Sequence, residues 1–219
     1  FVQGSGLPEV ELAGSVQYLL QYPYGCLEQT VSSAFPLLYL SDLADQAQPG
    51  SLTREQAAAR VQAGIFRILS MQSANGGFSY WPDRSSIYEW GSIYAAHFLA
   101  EADKAGYDVP EDRLNAALDF LQKMLARRVS DPADLQTRPY ICLALALAGR
   151  PEQGWMSRLC EEPLDASARV DLAAALAAAG RRREAAQVLN GASAASSAET
   201  SREYSGRLSS STRDLALLL

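Results

Sequence analysis

Apolar residues recur every three or four positions along most of this chain, and that period is typical of amphipathic α-helices. The clearest i, i+4 stripe comprises Ala57, Val61, Ile65 and Leu69. Thr53, followed three residues later by Gln56, fits a capping box that starts this helix. Runs that alternate in the manner of strands are few, so the pattern predicts an all-α fold.

Proline, glycine and capping residues divide the pattern into separate helices. The predicted helices span residues 9–21, 27–46, 53–72, 88–105, 110–128, 131–148, 151–161, 165–179 and 183–189, and a further run begins at residue 212. Pro36 lies inside the second helix and predicts a kink or a one-turn break. Gly106, Gly149 and Gly180 are expected to end three of the helices. Residues 191–211, rich in Ser and Ala, are expected to form a long loop.

Consecutive helices with short turns, at a period of roughly 40 residues per pair, predict an array of antiparallel helical hairpins. An α/α toroid and an open solenoid both fit this period. One connection is long, because residues 73–87 contain an Asn-Gly-Gly turn signal and lack helical periodicity. The aromatic residues that follow this turn, Phe78, Tyr80 and Trp81, are expected to be buried anchors.

The chain has 219 residues, enough for one well-buried domain, and its 48% hydrophobic and 20% charged content is typical of a globular protein. A net charge of −6, with no basic run outside residues 181–183, argues against nucleic acid and against an anionic membrane surface. The longest apolar run, residues 140–148, is too short to cross a bilayer. There is no Cys-x-x-Cys, no His pair and no carboxylate cluster at ligand spacing, so no metal or cofactor is predicted.

Residues 22–30, YPYGCLEQT, interrupt the helical pattern because Pro23 and Gly25 separate two apolar runs. Cys26 is therefore expected near the N-terminus of the second run, with Gln29 three residues later on the same face. A thiolate at Cys26 is then able to attack the carboxamide carbon of Gln29 and release ammonia, which leaves an internal thioester. The helix N-terminus stabilises negative charge on the sulfur and on the acyl oxygen, and Gly25 leaves room for an attacking group.

The neighbours of this pair are candidates for supporting roles. Glu28 lies about 100° round the helix from Leu27, so its side chain is expected to point elsewhere, toward the helix dipole. Tyr22 and Tyr24 either pack the entry of the helix or shield the thioester from water. A lone Cys is also often a small buried packing residue, so the spacing of Cys26 and Gln29 shows only that the chemistry is feasible.

The string YPYGCLEQ at residues 22–29, followed by TVSSAFP, closely resembles the thioester motif of bacterial alpha-2-macroglobulins. These are relatives of the animal protease-trapping macroglobulins and of the complement thioester proteins. Residues 72–81, with the pattern QxxxGGFxxW, are similar to hairpin turns of α/α toroids, which include macroglobulin thioester domains and, more distantly, terpene cyclases and protein prenyltransferases. The resemblance favours the toroid and covers nearly the whole chain. It implies a single thioester domain over residues 1–219, a fragment of a larger multidomain protein, with the toroid incomplete on its C-terminal side.

The resemblance also implies a function. The parent protein is expected to be periplasmic, anchored to the inner membrane only through a lipid elsewhere in the full chain. Cleavage of a bait segment by a protease exposes the thioester, and a protease lysine attacks Gln29 and frees the thiol of Cys26. The expected partners are proteases and the other macroglobulin domains of the same chain. Because capture consumes the bond, the protein is expected to be a single-turnover protease inhibitor rather than an enzyme.

His97 is the chain's single histidine. In complement-type relatives a histidine late in the domain takes up the acyl group and passes it to hydroxyls. His97 lies in the fourth predicted helix, so it does not match that position and is expected to be a satisfied core or rim residue. Residues 203–213, in the late region, contain no histidine, and Tyr204, Arg213 and Asp214 are the site candidates there. The resemblance therefore implies direct attack by amines.

Two other classes of function stay open. One is an α/α toroid enzyme acting on a carbohydrate or an isoprenoid, with Asp83, Glu89 and Asp112 as carboxylates at the ring mouth. Prenyltransferase chemistry requires a zinc set that the chain lacks. The other is a helical-repeat interaction module in which Cys26 is inert.

Cys142 and Cys160 lie nine residues before and nine after the turn at Pro151. On antiparallel helices, equal rise from a common turn brings two residues to the same level. A disulfide between them is therefore a candidate, favoured by a periplasmic location, provided that both side chains face the contact line. The alternative is two free thiols packed in the interior.

Overall fold

A computed structural model describes residues 25–39, 53–129 and 132–190, together with the backbone of residues 203–204 and 207–208. The helices of these residues are α1 Leu27–Ala34, α2 Arg54–Leu69, α3 Glu89–Lys104, α4 Glu111–Ala126, α5 Pro132–Leu147, α6 Gln153–Leu159, α7 Ala166–Ala178 and α8 Arg182–Asn190. The helices predicted at residues 9–21 and from residue 212 lie outside the described residues.

Capping residues define the predicted helix starts. Thr53 accepts a hydrogen bond from the backbone N–H of Gln56 at 3.2 Å, and its own N–H donates to Oε1 of Gln56 at 3.0 Å. The predicted capping box is therefore confirmed. Asp165 caps α7 through a single bond, because its Oδ1 accepts from the N–H of Ala168 at 2.7 Å. The helices that end before Gly106, Gly149 and Gly180 do so as predicted, and each of these glycines has a positive φ.

The helices form two layers. α1, α3, α5 and α7 pack against one another in that order, so alternate helices of the chain make a continuous inner row. α2, α4, α6 and α8 lie outside this row, each against the inner helices that flank it in the chain. This two-layered arrangement of antiparallel hairpins is the one expected for an α/α toroid.

Burial follows the two layers. The inner helix α3 has nine buried residues spread around its circumference, as expected for a helix packed on several sides. The outer helix α2 buries a single stripe, which includes the predicted Ala57, Val61 and Ile65. Ile68 replaces Leu69 in the last turn of that stripe, and Leu69 is only half-buried.

The predicted break at Pro36 is confirmed. α1 ends at Ala34, where the N–H of Phe35 donates to the carbonyl of Val31 at 2.8 Å, and a turn at residues 35–36 follows. Proline has no N–H for the next helical hydrogen bond, so the helix predicted at residues 27–46 does not run continuously.

The long connection between α2 and α3 is held by isolated bridges that pair Gln72 with Phe78 and Ser79 with Ile87. Phe78 is fully buried, as predicted, but Tyr80 and Trp81 are 41% and 40% exposed. The expectation that these two rings are buried anchors is wrong. They lie between Ser79 and Ile87, the two partners of the second bridge, where the connection has turned toward the N-terminal end of α1 and left the core.

The late part of the chain differs from the predicted long loop. Glu203–Tyr204 (β1) and Arg207–Leu208 (β2) form a two-stranded antiparallel ladder within residues 191–211. Among the described residues, no helix is long and apolar enough to cross a membrane.

The candidate disulfide is also wrong, since Cys142 and Cys160 are free thiols. Cys142 is fully buried between inner helices, and burial raises its pKa to about 12. Cys160 ends the outer helix α6, is exposed, and donates its thiol hydrogen to the carbonyl of Met156 at 3.3 Å. Helical rise predicts similar levels for the two cysteines, but their side chains do not both face the line of contact between the helices, which a disulfide requires.

Candidate functional site

Cys26 is the N-cap residue of α1, directly before its first helical residue. Its backbone is extended, with φ −61° and ψ 172°, and its carbonyl accepts the N–H of Thr30 at 2.9 Å as the first helical bond. Gln29 stands at the third helical position and its side chain folds back toward Cys26. The two residues form a capping box in which cysteine takes the place usually filled by Ser or Thr.

The Gln29 carboxamide is held by a backbone donor. The N–H of Cys26 donates to Oε1 of Gln29 at 3.0 Å. If the Cys26 sulfur attacks the carboxamide carbon, negative charge develops on that same oxygen, and this N–H is in place to stabilise it. The arrangement therefore supplies an oxyanion donor that is more specific than the helix dipole predicted from the sequence.

Gly25 makes the approach of Gln29 sterically feasible. A Cβ at this position would lie 2.7 Å from Cβ of Gln29 and 3.3 Å from its Oε1. Cys26 is only 3% exposed, whereas Gln29 is exposed. The cysteine is therefore buried, while the residue that carries the acyl carbon lies where an external nucleophile is able to reach it.

The connection before α3 closes over the start of α1. The N–H of Leu27 donates to the carbonyl of Tyr80 at 3.0 Å, which fixes Tyr80 beside Cys26. Hydrogen bonding to Cys26, and then the negative charge of its thiolate, raise the pKa of Tyr80 to about 12. Sequence reasoning treated Tyr80 as a packing residue. The QxxxGGFxxW string pointed to this connection but not to its bond with the start of α1.

A second tyrosine holds Glu28. The hydroxyl of Tyr88 donates to Oε2 of Glu28 at 3.4 Å, and burial together with the charge of Glu28 raises the pKa of Tyr88. The rings of Tyr80 and Tyr88 pack edge to face, with centroids 5.2 Å apart. Glu28 therefore points away from Gln29, as predicted, and its partner is a tyrosine that sequence reasoning had not singled out.

His97 is a satisfied histidine, as predicted. Its Nδ1 lies 3.1 Å from the hydroxyl of Tyr140, and its ring packs edge to face on Phe35 with centroids 4.9 Å apart. Burial lowers the pKa of His97 to about 4, against the opposing charge of Glu101. The imidazole is thus neutral at physiological pH.

The other candidate residues do not form a site within the described residues. Glu89 forms an ion pair with Arg127, while Asp83 and Asp112 are exposed on different segments. No group of three potential metal ligands occurs in the part of the chain that the structure describes. Four candidates lie outside that part: Tyr22, Tyr24, Arg213 and Asp214.

The family model described as "A-macroglobulin TED domain" matches residues 3–127, more than half of the chain and including Cys26 and Gln29. The chain belongs to the A-macroglobulin TED domain family. Among curated relatives of this TED domain, alpha-2-macroglobulin of Escherichia coli (strain K12) is 33% identical over 184 residues, which cover 77% of the chain and 11% of the relative. Alpha-2-macroglobulin of Xylella fastidiosa (strain Temecula1) is 34% identical over 122 residues, covering 55% of the chain and 7% of the relative.

Solved structures agree with this assignment. Native E. coli alpha-2-macroglobulin, from domain MG7 to the C-terminus, matches the TED domain with a TM-score of 0.83 and 30% identity, over 98% of this chain and 36% of that one. Salmonella alpha-2-macroglobulin reacted with methylamine also gives 0.83 and 30%, over 98% of this chain and 15% of that one. The all-α toroid is therefore confirmed, and the chain spans about a tenth of the E. coli relative's length.

Proposed function

We propose that Cys26 and Gln29 form an internal thioester and that this TED domain captures proteases covalently within a larger alpha-2-macroglobulin-type protein. The single observation that carries the proposal is the hydrogen bond from the Cys26 N–H to Oε1 of Gln29, 3.0 Å long, across the first turn of α1. It brings the carboxamide over the cysteine and supports the charge that develops on the oxygen.

Formation of the bond balances as an acyl transfer. The Cys26 thiolate attacks the carboxamide carbon of Gln29, the C–N bond breaks, and the nitrogen takes up a proton and leaves as ammonia. The chain becomes lighter by one ammonia. No cofactor takes part in this step.

Capture reverses the exchange with a new amine. A lysine of the attacking protease adds to the acyl carbon of Gln29, the C–S bond breaks, and Cys26 returns to a thiol. The exposure of Gln29 supports this step, and so do solved relatives, since Salmonella alpha-2-macroglobulin was reacted with methylamine and E. coli alpha-2-macroglobulin was activated by trypsin and by porcine elastase. Each thioester reacts once, so the domain acts as an inhibitor and not as an enzyme.

The proposal extends to the parent protein, which we place in the periplasm with a lipid anchor at the inner membrane. Its other macroglobulin domains would carry the bait segment and help to bury the thioester. The resemblance to bacterial alpha-2-macroglobulins supports this location, and fractionation of cells that express the full-length protein tests it.

The preferred acceptors are amines. His97 is buried, bonded to Tyr140 and neutral, so it is poorly placed to accept the acyl group. In the full-length protein we expect methylamine to react faster than glycerol by a wide margin, and His97→Ala to leave the methylamine rate nearly unchanged. Efficient transfer to glycerol that the substitution abolishes would contradict this acceptor preference.

The thioester itself is tested by intact mass. The denatured full-length protein should be lighter by one ammonia than its sequence predicts, and methylamine should add to Gln29 while it releases one thiol at Cys26. Cys26→Ala should abolish the mass deficit and the covalent capture of trypsin. Cys160→Ala is the matched control, because that thiol is exposed and away from α1. An unaltered mass in the native protein would favour an inert Cys26.

A further inference from the structure

We propose that Thr30 is a positioning residue for the acyl transfer, because its hydroxyl holds the peptide group whose N–H stabilises charge on Oε1 of Gln29. That peptide joins Gly25 to Cys26, and the hydroxyl lies 3.3 Å from its carbonyl oxygen. The inference deepens the proposed function and rests on it, since the oxyanion donor has a role only if Cys26 and Gln29 form a thioester.

The peptide between Gly25 and Cys26 lies outside the hydrogen-bond ladder of α1. The first helical bond runs from the N–H of Thr30 to the carbonyl of Cys26, at 2.9 Å. The carbonyl of Gly25 stands one residue earlier and has no place in that ladder. Gly25 also lacks a Cβ and tolerates a wide range of backbone angles. The ladder therefore does not fix the direction in which the Cys26 N–H points.

The Thr30 hydroxyl holds this peptide. Its Oγ1 lies 2.9 Å from the carbonyl oxygen of Cys26 and 3.3 Å from that of Gly25, so its one proton is shared between two acceptors. A peptide group is planar and trans, and its C=O and N–H point in opposite directions. Fixing the oxygen of Gly25 therefore directs the Cys26 N–H, which donates to Oε1 of Gln29 at 3.0 Å.

The directed N–H serves the acyl transfer when an amine opens the thioester. The amine adds to the acyl carbon of Gln29, and the electron pair of the C=O bond moves onto Oε1. The pair then returns, the C–S bond breaks with its electrons on the sulfur of Cys26, and a proton lost by the attacking nitrogen neutralises that sulfur. An N–H aimed at Oε1 stabilises the charged intermediate. A hydrogen bond to the carbonyl of the same peptide polarises this N–H further.

Ser33 provides a matched comparison on the same helix. Its hydroxyl donates to the backbone carbonyl of Gln29, four residues earlier, at 2.8 Å. The Thr30 hydroxyl donates to the carbonyl of Cys26 with the same spacing. Ser and Thr commonly make such bonds within helices. Of these two hydroxyls, only that of Thr30 also contacts the peptide that carries the oxyanion donor.

The experiment uses the full-length protein that carries this domain, with methylamine as the probe. Intact mass measures the fraction of molecules with the ammonia deficit, and thiol release gives the second-order rate of aminolysis. Thr30→Val keeps the branched shape of the side chain and removes the hydroxyl. We expect it to slow aminolysis about fivefold, less than the loss of an oxyanion donor, because the N–H is present but less firmly directed. Ser33→Ala should stay within about twofold of the wild type.

Thr30→Ser separates the hydroxyl from the packing of the methyl group. It keeps the donor and should recover aminolysis to within about twofold of the wild type, whereas Thr30→Ala should be as slow as Thr30→Val. Loss of the ammonia deficit in a folded Thr30→Val, recovered in Thr30→Ser, would support the same role, since formation of the bond places charge on the same oxygen. The comparison of Ser with Ala carries the test if Thr30→Val fails to fold.

Urea unfolding of each variant gives the readout for a purely structural role. Such a role would lower the unfolding midpoint of Thr30→Val and leave its aminolysis rate unchanged. A full ammonia deficit with a wild-type or faster rate in Thr30→Val would overturn the role of Thr30 and leave the proposed function intact. Equal losses of rate in Thr30→Ser and Thr30→Val would also overturn it, because they would point to packing. Absence of the ammonia deficit in the wild type would overturn the proposed function and this role together.

Discussion

The close contact between Gly25 and Gln29 sets the geometry of the candidate thioester at the residue scale. The carboxamide folds back on Cys26 only because no Cβ stands at position 25, where it would lie 2.7 Å from Cβ of Gln29. Real Cβ atoms do not approach that closely, so any side chain at this position must push Gln29 away from the Cys26 N–H. The bond is expected to be highly sensitive to this one position.

We expect Gly25→Ala to prevent or strongly reduce thioester formation while the helices persist. Intact mass of the full-length protein should show loss of the ammonia deficit, and circular dichroism should be unchanged. Gly154→Ala is the matched control, because a Cβ there meets nothing within 4 Å. A full ammonia deficit in Gly25→Ala would contradict the steric argument.

His97 makes stability depend on pH. Burial lowers its folded-state pKa from 6.5 to about 4, so the unfolded chain binds more protons between these two values. The free energy of unfolding should therefore fall as the pH drops from about 6.5 toward 4, with a slope of at most about 1.4 kcal/mol per pH unit from this residue. Above pH 6.5 the residue is neutral in both states and contributes no pH dependence.

Urea unfolding of wild type and His97→Gln at several pH values isolates this contribution, because most carboxylates titrate alike in both proteins. As the pH falls through this window, the free energy of unfolding of the wild type should decrease relative to that of His97→Gln. Parallel curves from pH 7 to pH 4 would show that His97 protonates freely in the folded chain.

A buried arginine of α5 terminates α4 at the scale of whole elements. Arg138 is only 1% exposed, and its Nη1 and Nη2 donate to the carbonyls of Leu125 and Arg127 at 2.8 and 2.7 Å. Its guanidinium also lies over the Trp155 ring, 4.7 Å from the centroid. One side chain of an inner helix thereby satisfies carbonyls that the end of an outer helix leaves without helical partners.

Replacing Arg138 with Met should destabilise the chain by about 3 kcal/mol, because the buried carbonyl of Leu125 and the part-buried carbonyl of Arg127 lose their donors at once. Chemical unfolding of the chain measures the loss. Arg158→Met is the matched control, since Arg158 also lies over Trp155, at 5.4 Å, but its side chain is 65% exposed. That change should cost about 0.5 kcal/mol or less, and equal losses in both variants would contradict the capping role of Arg138.

At the scale of the whole molecule, the proposed thioester is expected to need more protein than this chain for its protection. Cys26 is buried by α1 and by the connection before α3, but Gln29 remains exposed. The chain also spans only 11% of the E. coli relative, so the domains proposed to cover the acyl carbon lie elsewhere in the parent protein. Water should therefore reach the acyl carbon when this chain is produced alone.

We expect the 219-residue chain by itself to contain a free thiol at all three cysteines, with Glu or Gln at position 29. Intact mass and thiol titration of the denatured chain measure this directly. The full-length protein serves as the control, and there Cys26 should resist thiol reagents until an amine or a protease is added. A stable ammonia deficit in the isolated chain would show that this domain protects its own bond.

The sequence by itself determined the short-range interactions of this chain. The capping box at Thr53, the break at Pro36 and the i, i+3 placement of Cys26 and Gln29 each involve residues within one turn, so residue type and spacing were sufficient. Helical periodicity likewise determined the all-α class. The choice of the toroid over the solenoid came from family resemblance, since both arrangements have the same period.

Only the tertiary structure decided which distant residues meet. Tyr80 lies beside Cys26 because the connection between α2 and α3 turns back over the start of α1, and that path depends on the packing of three helices. The same dependence separates Cys142 from Cys160: their levels follow from helical rise, but the directions of their side chains follow from which helix is inner and which is outer. The packing of the helices sets the contacts between residues far apart in the chain, and local sequence patterns do not predict that packing.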